Sequence, residues 1–485
     1  MSKKNQSYWI SCKECHGTGK KRQRLRKKIR LNYLKELEEF EKTKDIGLAP
    51  TRPKGHLIFC KKCTGSGLLP ARSRTEPDIK NFPHIAIIGC GIGGVALAVA
   101  CLHRGIPFTL YERDINFKTR PQGYGLTLQQ ASKSTEAFGL ITLTEGVVST
   151  RHIVHNTEGK VMGEWGMRKW LETNSKKPLR RTNIHIARQS LRSSLLQQLG
   201  GHDQVSWGYQ LIDFKETRGK GVDLTFRVGR KIKKAKADLL IGADGIRSSV
   251  RKILIGEEIT PLRYLDCIVI LGICPLEKLK NRDHSLLDSA TVFQTANGDE
   301  RIYVMPFSSD AVMWQLSFPI KEKEAKRLSV QGAYALKKEA CRRAQWHKPI
   351  PQILEATDEN QVSGYPVYDR KLLHPDLFAK AGQTTLIGDA AHPMSPFKGQ
   401  GANQALLDAL ELARAISKGC RPSSQWRSTG IRASVLNAFE LEMLERTASK
   451  VNDSAAAAQF LHSEVVLQEK DEPRGNKPQE KTIKI

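Results

Sequence analysis

Short apolar runs separated by glycine turns recur through the middle of the chain. Three of them are HIAII from His84, ADLLIGADG from Ala237 and TTLIGDAAH from Thr384. After the first run, VALAVACLHRG has the composition of a buried helix, and PFTLYERD then indicates another strand. Short continuous apolar strands that alternate with helices are typical of a parallel sheet covered on both faces. We therefore predict an α/β fold built on a parallel sheet.

The region 265–370 has a different pattern. In ATVFQTANGDERIYVMPFSSDAVMWQLSF residue types alternate, and Asn297-Gly298 indicates a tight turn between strands. An antiparallel sheet is therefore expected here. On one strand a single face carries Arg301, Tyr303, Met305 and Phe307, and on the next a single face carries Val312, Trp314, Leu316 and Phe318.

The two ends of the chain differ from this centre. Residues 432–465 predict one or two helices, and the polar stretch after Leu467 indicates disorder. Near the start, residues 20–44 predict a helix with an apolar stripe at Leu25, Ile29, Tyr33, Leu37 and Phe40. The expected organisation is a basic module at 1–80, a dinucleotide-binding part at 81–264 and 371–430, an antiparallel sheet at 265–370, C-terminal helices at 431–467 and a disordered tail at 468–485.

Charge is unevenly distributed along the 485 residues. The net charge is +28, and residues 1–80 supply 21 Lys/Arg against 8 Asp/Glu, which is nearly half of the excess. Such a field favours polyanionic partners. No run of eighteen apolar residues predicts a membrane span, and the basic start lacks the apolar core of a secretory signal. Because the ten cysteines do not resemble a secreted disulfide framework, we expect a reduced, cytoplasmic protein.

A glycine fingerprint follows the first apolar strand. IAIIGCGIGG places Gly89, Gly91 and Gly94 as GxGxxG between a strand and a helix, and Glu112 ends the next strand. The first glycine permits a tight turn, the second lets the backbone approach a diphosphate, and the third lets helix and strand pack closely. A carboxylate at the position of Glu112 can bind a ribose. A purely structural glycine turn remains the alternative.

NAD and FAD share this fingerprint, so other residues must distinguish them. A second strand-to-loop site begins at Gly388-Asp389, and its glycine-rich turn leads into the predicted helix ANQALLDALELA. A carboxylate there can bind a polyol hydroxyl, and a second helix N-terminus can meet the far end of a long ligand. A flavin with its ribityl chain fits this description, although an Asp in such a place is often only a turn residue.

The three motifs together resemble a known family. GxGxxG at Gly89, ADGIRSSVR with Asp244 and GDAAHPMSPFKGQGAN from Gly388 are similar, in order and spacing, to the group A flavoprotein monooxygenases with the para-hydroxybenzoate hydroxylase fold. GYGLTLQQ and the GD loop are most like the salicylate-hydroxylase-type and tetracycline-inactivating enzymes. The resemblance covers about residues 82–465 and implies a Rossmann-like FAD domain.

The resemblance also implies a set of cofactor-binding residues. The FAD diphosphate and adenosine would be bound by residues of the first motif and by an arginine at a helix start: Gly89, Gly91, Ile92, Gly93, Gly94, Glu112, Arg113 and Arg188. The ribityl chain and ring would be bound by residues of the third motif: Gly388, Asp389, Pro396, Gly399, Gln400, Gly401, Ala402 and Asn403. Asp244 belongs to the second motif, which the family associates with both FAD and NAD(P)H. A surface arginine remains the alternative for Arg188, and an Asp-Gly turn remains the alternative for Asp244.

The family chemistry belongs to the cofactor rather than to an amino-acid nucleophile. The resemblance implies that NAD(P)H reduces FAD, that O₂ forms a C4a-hydroperoxyflavin, and that one oxygen atom hydroxylates an aromatic or polycyclic small molecule. No catalytic side chain is assigned. One face of the antiparallel sheet is expected to line the substrate pocket, with Phe293, Tyr303 and Trp314 as candidates, although an apolar sheet face is more often core.

Two CxxCxGxG repeats mark the N-terminal module. Cys12, Cys15, Cys60 and Cys63 can supply four thiolates to one structural zinc, and the glycines permit knuckles whose N–H groups point at sulfur. The repeats resemble the cysteine-rich domain of DnaJ-type chaperones. Redox activity of the dithiols is the alternative. The basic helix of the module is a candidate surface for nucleic acid or an acidic protein, or only a solvated arm.

A second reading of the whole chain comes from another functional class. The protein could be a flavin-containing binding or regulatory protein whose basic zinc arm engages nucleic acid or an acidic partner. Salt-sensitive binding to RNA or DNA that is lost with residues 1–80 would favour this reading. Substrate-stimulated oxidation of NAD(P)H would favour the monooxygenase.

Overall fold

The computed structural model describes residues 8–43, 50–53, 55–119, 124–129, 131, 134–172, 183–217, 219–379 and 381–474. The chain divides into two compact units, Met1–Thr75 and Glu76–Ile485. The division falls five residues before the boundary that the sequence suggested.

The first unit is built around the two cysteine repeats. Its elements are β1 (Tyr8–Ser11), β2 (Lys20–Arg22), α1 (Lys27–Thr43), β3 (Leu57–Phe59) and β4 (Leu68–Ala71). β1 pairs with β4 and β2 with β3, in both cases antiparallel. The helix α1 therefore begins seven residues later than predicted. Residues 20–22, which the sequence placed in the helix, instead form β2 and pair with β3.

The second unit contains eighteen strands within the described residues. They are β5 (Ile85–Ile88), β6 (Phe108–Glu112), β7 (Gly125–Leu128), β8 (Val147–Val148), β9 (Arg151–His155), β10 (Val161–Trp165), β11 (Ile184–Ala187), β12 (Val205–Trp207), β13 (Tyr209–Thr217), β14 (Gly221–Val228), β15 (Lys231–Ala237), β16 (Leu239–Gly242), β17 (Leu262–Pro275), β18 (Thr291–Ala296), β19 (Arg301–Ser308), β20 (Ala311–Pro319), β21 (Val362–Arg370) and β22 (Thr384–Leu386).

Ten α-helices accompany these strands in the described part of the unit. They are α2 (Ile92–Leu102), α3 (Met167–Glu172), α4 (Arg188–Gln198), α5 (Ser249–Ile255), α6 (Glu322–Val330), α7 (Gly332–Arg343), α8 (Ile350–Ala356), α9 (Gly401–Gly419), α10 (Trp426–Thr429) and α11 (Asn437–Phe460). None of the helices in the described residues is both long and apolar enough to cross a bilayer.

A five-stranded parallel sheet forms the centre of the cofactor half, in the order β12-β6-β5-β16-β22. β5, β16 and β22 are entirely buried, and α2 and α9 pack beside them in one hydrophobic core. The predicted α/β class is thus confirmed. Since the strands are parallel, the loops after β5, β16 and β22 leave the sheet at the same edge, which is where such folds bind ligands.

The antiparallel sheet is larger than the predicted segment. Its order is β10-β9-β18-β19-β20-β17-β21, so two of its seven strands come from residues 151–165, which the sequence placed with the cofactor half. β9 pairs with β18 in parallel. The sequence could not predict this long-range pairing, because the residues of β9 are equally compatible with a strand of either sheet.

The C-terminal region is helical, as predicted, but the chain after it is partly ordered. Residues 475–485 lie outside the described residues, whereas 468–474 run beside β10 with specific contacts. The backbone N–H of Lys470 and the Arg474 side chain both donate to the Met162 carbonyl at 3.0 Å. Asp471 accepts from the backbone of Glu164 at 2.9 Å. The predicted disorder of 468–485 is therefore wrong for its first seven residues.

We expect removal of residues 468–485 to destabilise the protein, because these contacts to β10 would be lost. Loss of three hydrogen bonds of this kind corresponds to about 1.5–4.5 kcal/mol in the free energy of unfolding. Removal of 475–485 alone is the matched control, because it leaves the contacts of residues 468–474 with β10 in place. Urea unfolding of both truncated chains would measure the difference, and equal stability would show that the segment contributes nothing.

Candidate functional site

The first glycine turn lies at the ligand-binding edge of the parallel sheet. Gly89 has φ +106°, and a Cβ there would lie 2.4 Å from the Ala243 carbonyl oxygen. A Cβ on Gly94 would lie 1.9 Å from the Gly89 carbonyl oxygen. Glycine is therefore required at both positions, and the turn brings α2 against the sheet with its N-terminus at the edge. Gly91, in contrast, borders open space.

A large cavity begins at this turn. It has a volume of about 950 Å³ and extends from Gly91 past Arg188 and Asp389 to the antiparallel sheet. The first turn of α2 has no side-chain cap, so its N–H groups are available to an anion. The Arg188 guanidinium lies 5.5 Å from the centre of the Tyr124 ring, and it makes no hydrogen bond within the described residues. Its donors can therefore reach a ligand in the cavity.

Asp389 lies opposite this arginine on the loop after β22. Its side chain opens onto the cavity, although protein surrounds it on the other sides. Burial raises the pKa of the Asp389 carboxyl, and His392 and Arg188 oppose that shift. A carboxylate that faces a cavity in this way can accept hydrogen bonds from the hydroxyl groups of a polyol.

The glycine-rich loop continues the wall of the cavity. Gly399 has φ +59°, and α9 begins two residues later with no side-chain cap. Asn403 ties this loop to β7: its Nδ2 donates to the carbonyl oxygens of Thr127 and Gly399, and its Oδ1 accepts from the backbone of Gln129. Asn403 therefore holds the loop in place, while the free N–H groups at the start of α9 face the cavity.

A buried ion pair anchors the same loop from behind. The Asp408 side chain is fully buried and accepts hydrogen bonds from the Gly388 backbone N–H at 2.8 Å, His392 Nε2 at 2.7 Å and the Arg446 guanidinium at 2.9 Å. Burial alone would raise the pKa of Asp408, but His392 and Arg446 lower it. His392 thus has a structural position, because its Nε2 is bound to a buried carboxylate behind the loop.

Arg251, the last residue of the second motif, supports the loop from another side. It is 2% exposed, and its guanidinium donates to the carbonyl oxygens of Ala390 and Ala391 and to the Thr260 hydroxyl. Burial lowers its pKa to about 10. The motif after β16 therefore fixes the position of the loop after β22.

One face of the antiparallel sheet closes the cavity opposite the glycine loops. Tyr303 pairs with Gln294 on one side and Gln315 on the other, and all three line the cavity. Met305 and Met313 continue this face. Of the two faces that the sequence singled out, the one with Arg301, Tyr303 and Met305 therefore borders the site.

Trp314 does not line the cavity. It is fully buried on the opposite face of the sheet, where its Nε1 donates to the Thr357 hydroxyl at 2.9 Å. Phe293 borders the cavity, yet its side chain is 1% exposed and belongs to the same core as Trp314. Successive residues of a strand point to opposite faces of the sheet. On β20 the cavity is therefore bordered by Met313 and Gln315, and not by Trp314 as the sequence suggested.

A chain of hydrogen bonds leads away from the glycine loop along the cavity wall. Thr127 Oγ1 lies 3.1 Å from His185 Nδ1, His185 Nε2 lies 2.8 Å from Ser149 Oγ, and Ser149 Oγ lies 3.2 Å from His152 Nε2. His152 stacks on Trp165. Burial lowers the pKa of His185 to about 3 and that of His152 to about 4. Both imidazoles are therefore neutral at neutral pH.

We expect the buried imidazole of His185 to make the stability of the fold depend on pH in the acidic range. Its pKa is depressed in the folded state, so the unfolded chain binds a proton first as the pH falls below about 6.5, and stability declines until about pH 3. His185→Gln removes this titration and should flatten the fall in Tm over that range. His56→Gln, on the exposed side of the N-terminal unit, is the control. An unchanged slope in His185→Gln would refute the assignment.

The remaining predicted cofactor residues lie beside the cavity rather than in its wall. Glu112 ends β6, and its carboxylate accepts from the backbone N–H groups of Cys90 at 2.7 Å and Asp114 at 3.0 Å. Arg113 is exposed next to it. Asp244 precedes α5, whose N-cap is Ser248, and accepts from the Ser248 hydroxyl and the Ser249 backbone N–H. The predicted residues that line the wall are Gly91, Ile92, Gly93, Arg188, Gly388, Asp389, Pro396, Gly399, Gln400, Gly401 and Ala402.

The four cysteines of the first unit form a separate cluster. Their sulfur atoms all lie within 4.8 Å of one another, and all four residues are buried. Cys12 and Cys60 are 4.0 Å apart at Sγ, and Cys15 and Cys63 are 3.6 Å apart. The backbone N–H groups of Gly19 and Gly67 point at the sulfur atoms of Cys15 and Cys63, both at 3.3 Å. This is the knuckle geometry that the repeats predicted.

The cavity has the donors and acceptors that FAD requires. Two uncapped helix N-termini, at α2 and α9, face it from different points, and Arg188 and Asp389 lie between them without a hydrogen-bond partner in the described residues. Gly91 lines the same cavity, and a Cβ there would lie 3.8 Å from an Nη atom of Arg188. A dinucleotide with a polyol link and a polar ring uses each of these groups.

The fold and the site define the class of protein. One parallel-sheet dinucleotide domain, an antiparallel sheet and a continuous cavity between them are the parts of a flavin-dependent oxidoreductase. The family described as FAD binding domain matches residues 83–427, and the chain belongs to this family. The protein is accordingly an FAD-dependent oxidoreductase related to monooxygenases.

Named relatives agree with this assignment. The aurachin C monooxygenase/isomerase of Stigmatella aurantiaca is 27% identical over 362 residues, which cover 73% of this chain and 86% of that protein. The zeaxanthin epoxidase of Oryza sativa subsp. japonica is also 27% identical, but the chain spans only 53% of its length. The structure of Klebsiella pneumoniae HpxO with FAD and uric acid has a TM-score of 0.64 at 22% identity, covering 80% of this chain and 93% of that chain, and shows likeness of fold.

Proposed function

We propose that the protein is an FAD-dependent monooxygenase that uses NAD(P)H and O₂ to hydroxylate an aromatic or polycyclic small molecule. The observation that carries this proposal is the single cavity that joins the cofactor cradle at Gly91, Arg188 and Asp389 to the face of the antiparallel sheet around Tyr303. Bound FAD would supply the activation of oxygen, which no side chain can provide.

The residues of the chain have three tasks in this reaction. The helix N-termini and Arg188 bind the anionic diphosphate, and Asp389 holds the polyol. The glycine loop and the sheet face around Tyr303 enclose the reacting groups, and this enclosure limits the access of water. Neutral His185, linked through Thr127 and Ser149, can pass a proton along the cavity wall, because a neutral imidazole both donates and accepts.

The named relatives support the substrate class. One is an aurachin C monooxygenase/isomerase, and one of the solved structures of this fold was obtained with uric acid. Aromatic or polycyclic rings are therefore the substrate class proposed for this chain. The cavity wall of Tyr303, Met305 and Met313 offers the aromatic and thioether surface that such rings contact.

The proposal can be tested with purified protein reconstituted with FAD. A panel of aromatic and polycyclic compounds should contain members that accelerate oxidation of NADH or NADPH and yield an oxygenated product. Product and hydrogen peroxide are measured together, because peroxide alone indicates an uncoupled reaction. Tight FAD binding with no compound that gives product would contradict the proposed activity, and absence of FAD binding would contradict the cofactor site as well.

The cysteine cluster supports one structural zinc. In a tetrahedral site with Zn–S distances of about 2.3 Å, neighbouring sulfur atoms are about 3.8 Å apart. The 3.6 and 4.0 Å distances across the two repeats match this value. The four sulfur atoms form one cluster rather than two separate dithiols. We therefore assign the four thiolates to zinc and the repeats to a DnaJ-like knuckle pair.

A further inference from the structure

Exposed apolar side chains are concentrated in the first unit. Within the described residues, seven of the twenty large apolar side chains that are exposed belong to this unit, although it is a small part of the chain. They lie on three elements: Ile10 in β1, Ile29, Leu31 and Leu34 in α1, and Leu57, Ile58 and Phe59 in β3. A single exposed apolar residue is ordinary, but several that are neighbours mark a surface with a partner.

One face of the small sheet β2-β3 combines apolar and basic side chains. Leu57 and Phe59 are 54% and 64% exposed, and they share a face because alternate residues of a strand point to the same side. Their partners across the ladder are Arg22 and Lys20, and Lys20 Nζ lies 5.8 Å from the centre of the Phe59 ring. Neither strand contains an acidic residue. This face is therefore both apolar and positively charged.

A basic run connects this sheet to α1. Residues 20–30 contain eight Lys/Arg and no Asp/Glu. Within the described residues, Lys21 is the one cation of this run with an acidic partner, which is Glu14 at 2.6 Å. Most of the positive charge of the run is therefore available to a partner outside the chain.

The first half of α1 repeats the same combination. Leu31 and Leu34 are both nearly half exposed. Three cations lie beside them: Lys27, Lys28 and Lys35. The acidic residues of α1 follow in its second half, where Glu38 is paired with Lys42 at 2.6 Å. The apolar and basic surface thus extends from the small sheet into the beginning of the helix.

We propose that the first unit docks on an anionic lipid membrane through this surface, which consists of residues 20–31 with Leu34, Leu57 and Phe59. The cations are attracted to anionic headgroups, and the apolar side chains enter the boundary between the headgroups and the acyl chains. The strength of such binding rises with both the buried apolar area and the attraction to anionic lipids, and this surface supplies both. The inference does not depend on the proposed monooxygenase activity.

The chemistry of this surface favours lipid over two other kinds of polyanion. Nucleic acid is bound by cations at its phosphates and by aromatic stacking or hydrogen bonds at its bases, which gives no role to exposed aliphatic side chains such as Leu31 and Leu57. An acidic peptide needs a groove that receives its apolar anchors. The residues that line the depression at Leu31 and Leu34 all belong to α1, and one helix cannot form both walls of a groove. A membrane needs only side chains that project.

The test is co-sedimentation of the full-length, FAD-loaded protein with lipid vesicles. One set of vesicles is phosphatidylcholine alone, and the other contains about 30% phosphatidylserine, which makes the surface anionic. We expect the anionic vesicles to bind the protein about tenfold or more tightly than the neutral ones, because each cation near the surface adds to the attraction. About 0.5 M NaCl should weaken this preference, since salt screens exposed charges.

Paired variants then locate the apolar contribution. Leu57→Gln together with Phe59→Gln should weaken binding to anionic vesicles about tenfold, because the apolar side chains that enter the membrane are lost. Ile232→Gln together with Ile259→Gln is the matched control, since these side chains of the second unit are 58% and 50% exposed and Ile232 lies between two lysines of β15. The control should bind as the native protein does.

A second pair of variants locates the charge. Arg24→Gln, Lys27→Gln and Lys28→Gln combined should remove most of the preference for anionic vesicles. The matched control changes three exposed lysines of β15 in the other unit: Lys231→Gln, Lys233→Gln and Lys234→Gln. It should keep the preference, because the net charge of the chain alone does not place it on the membrane.

Each outcome supports or overturns the proposal. Equal binding to both kinds of vesicle, or native binding by Leu57→Gln with Phe59→Gln, would overturn it. So would binding of a single-stranded oligoribonucleotide or of polyglutamate without binding to vesicles, which would identify nucleic acid or an acidic protein as the partner. Resistance of the first unit to limited proteolysis shows whether each variant is folded. If the β3 variant is not, Leu31→Gln with Leu34→Gln decides in its place.

Discussion

Asp408→Ala is expected to release FAD and to destabilise the second unit by about 3–5 kcal/mol, because it leaves Arg446 and His392 without their buried acceptor. The Asp408 carboxylate is fully buried, and it also accepts the backbone N–H of Gly388. That hydrogen bond sets the position of the loop on which Asp389 faces the cavity. Loss of the carboxylate therefore affects both the stability of the fold and the shape of the cofactor site.

Two measurements separate these effects. Urea unfolding gives the loss in free energy, and titration of the apoprotein with FAD gives the change in Kd below the unfolding transition. Glu442→Ala is the control, because Glu442 contacts the same arginine at 2.8 Å but is 50% exposed. An exposed pair of this kind contributes about 1 kcal/mol or less. If Asp408→Ala kept native stability and FAD affinity, the ion pair would not anchor the loop.

The cofactor half could be predicted from local sequence because each of its features is local. Glycine is required at Gly89 because a Cβ there would collide with the backbone that follows one neighbouring strand. The same holds for Gly388-Asp389 after β22. Parallel strands then bring both loops to one edge of the sheet, so the sequence order of the motifs was enough to predict a shared site.

The anchors of that site could not be predicted, because they depend on contacts between distant parts of the chain. Arg446 is 38 residues from Asp408 and pairs with it only after α11 has packed near α9. The one available signal was the acid in QALLDALELA, where Asp408 interrupts an otherwise apolar helix face. A buried acid needs a partner, but the sequence does not say which of many arginines supplies it.

Which face of the antiparallel sheet borders the cavity was difficult to predict for a different reason. In β20 both faces are largely apolar, so alternation alone did not show whether Trp314 or Met313 faces the cavity. Gln315 was the useful signal, because a polar residue in the middle of an apolar strand favours the face that meets a ligand or solvent. The joining of β9 to β18 likewise depends on a pairing across more than a hundred residues.

Cys60→Ser together with Cys63→Ser is expected to abolish zinc binding and to unfold the first unit. Within the described residues, the buried apolar cluster of this unit consists of the four cysteines, with Leu69 packed against it. So small a core cannot offset the conformational entropy of some seventy residues, and a structural zinc contributes about 10–16 kcal/mol to folding in small domains. Metal analysis of the native protein should give about one zinc per chain.

Cys341→Ser is the matched control, because Cys341 is a partly exposed cysteine of α7 in the other unit and should leave the zinc content unchanged. Limited proteolysis would show whether residues 8–75 become accessible in the double variant. The second unit has its own hydrophobic cores and is expected to retain FAD. A native protein without zinc whose first unit nevertheless resists proteolysis would exclude the metal and favour the redox alternative, since a chain with so little buried apolar surface would then need disulfides instead.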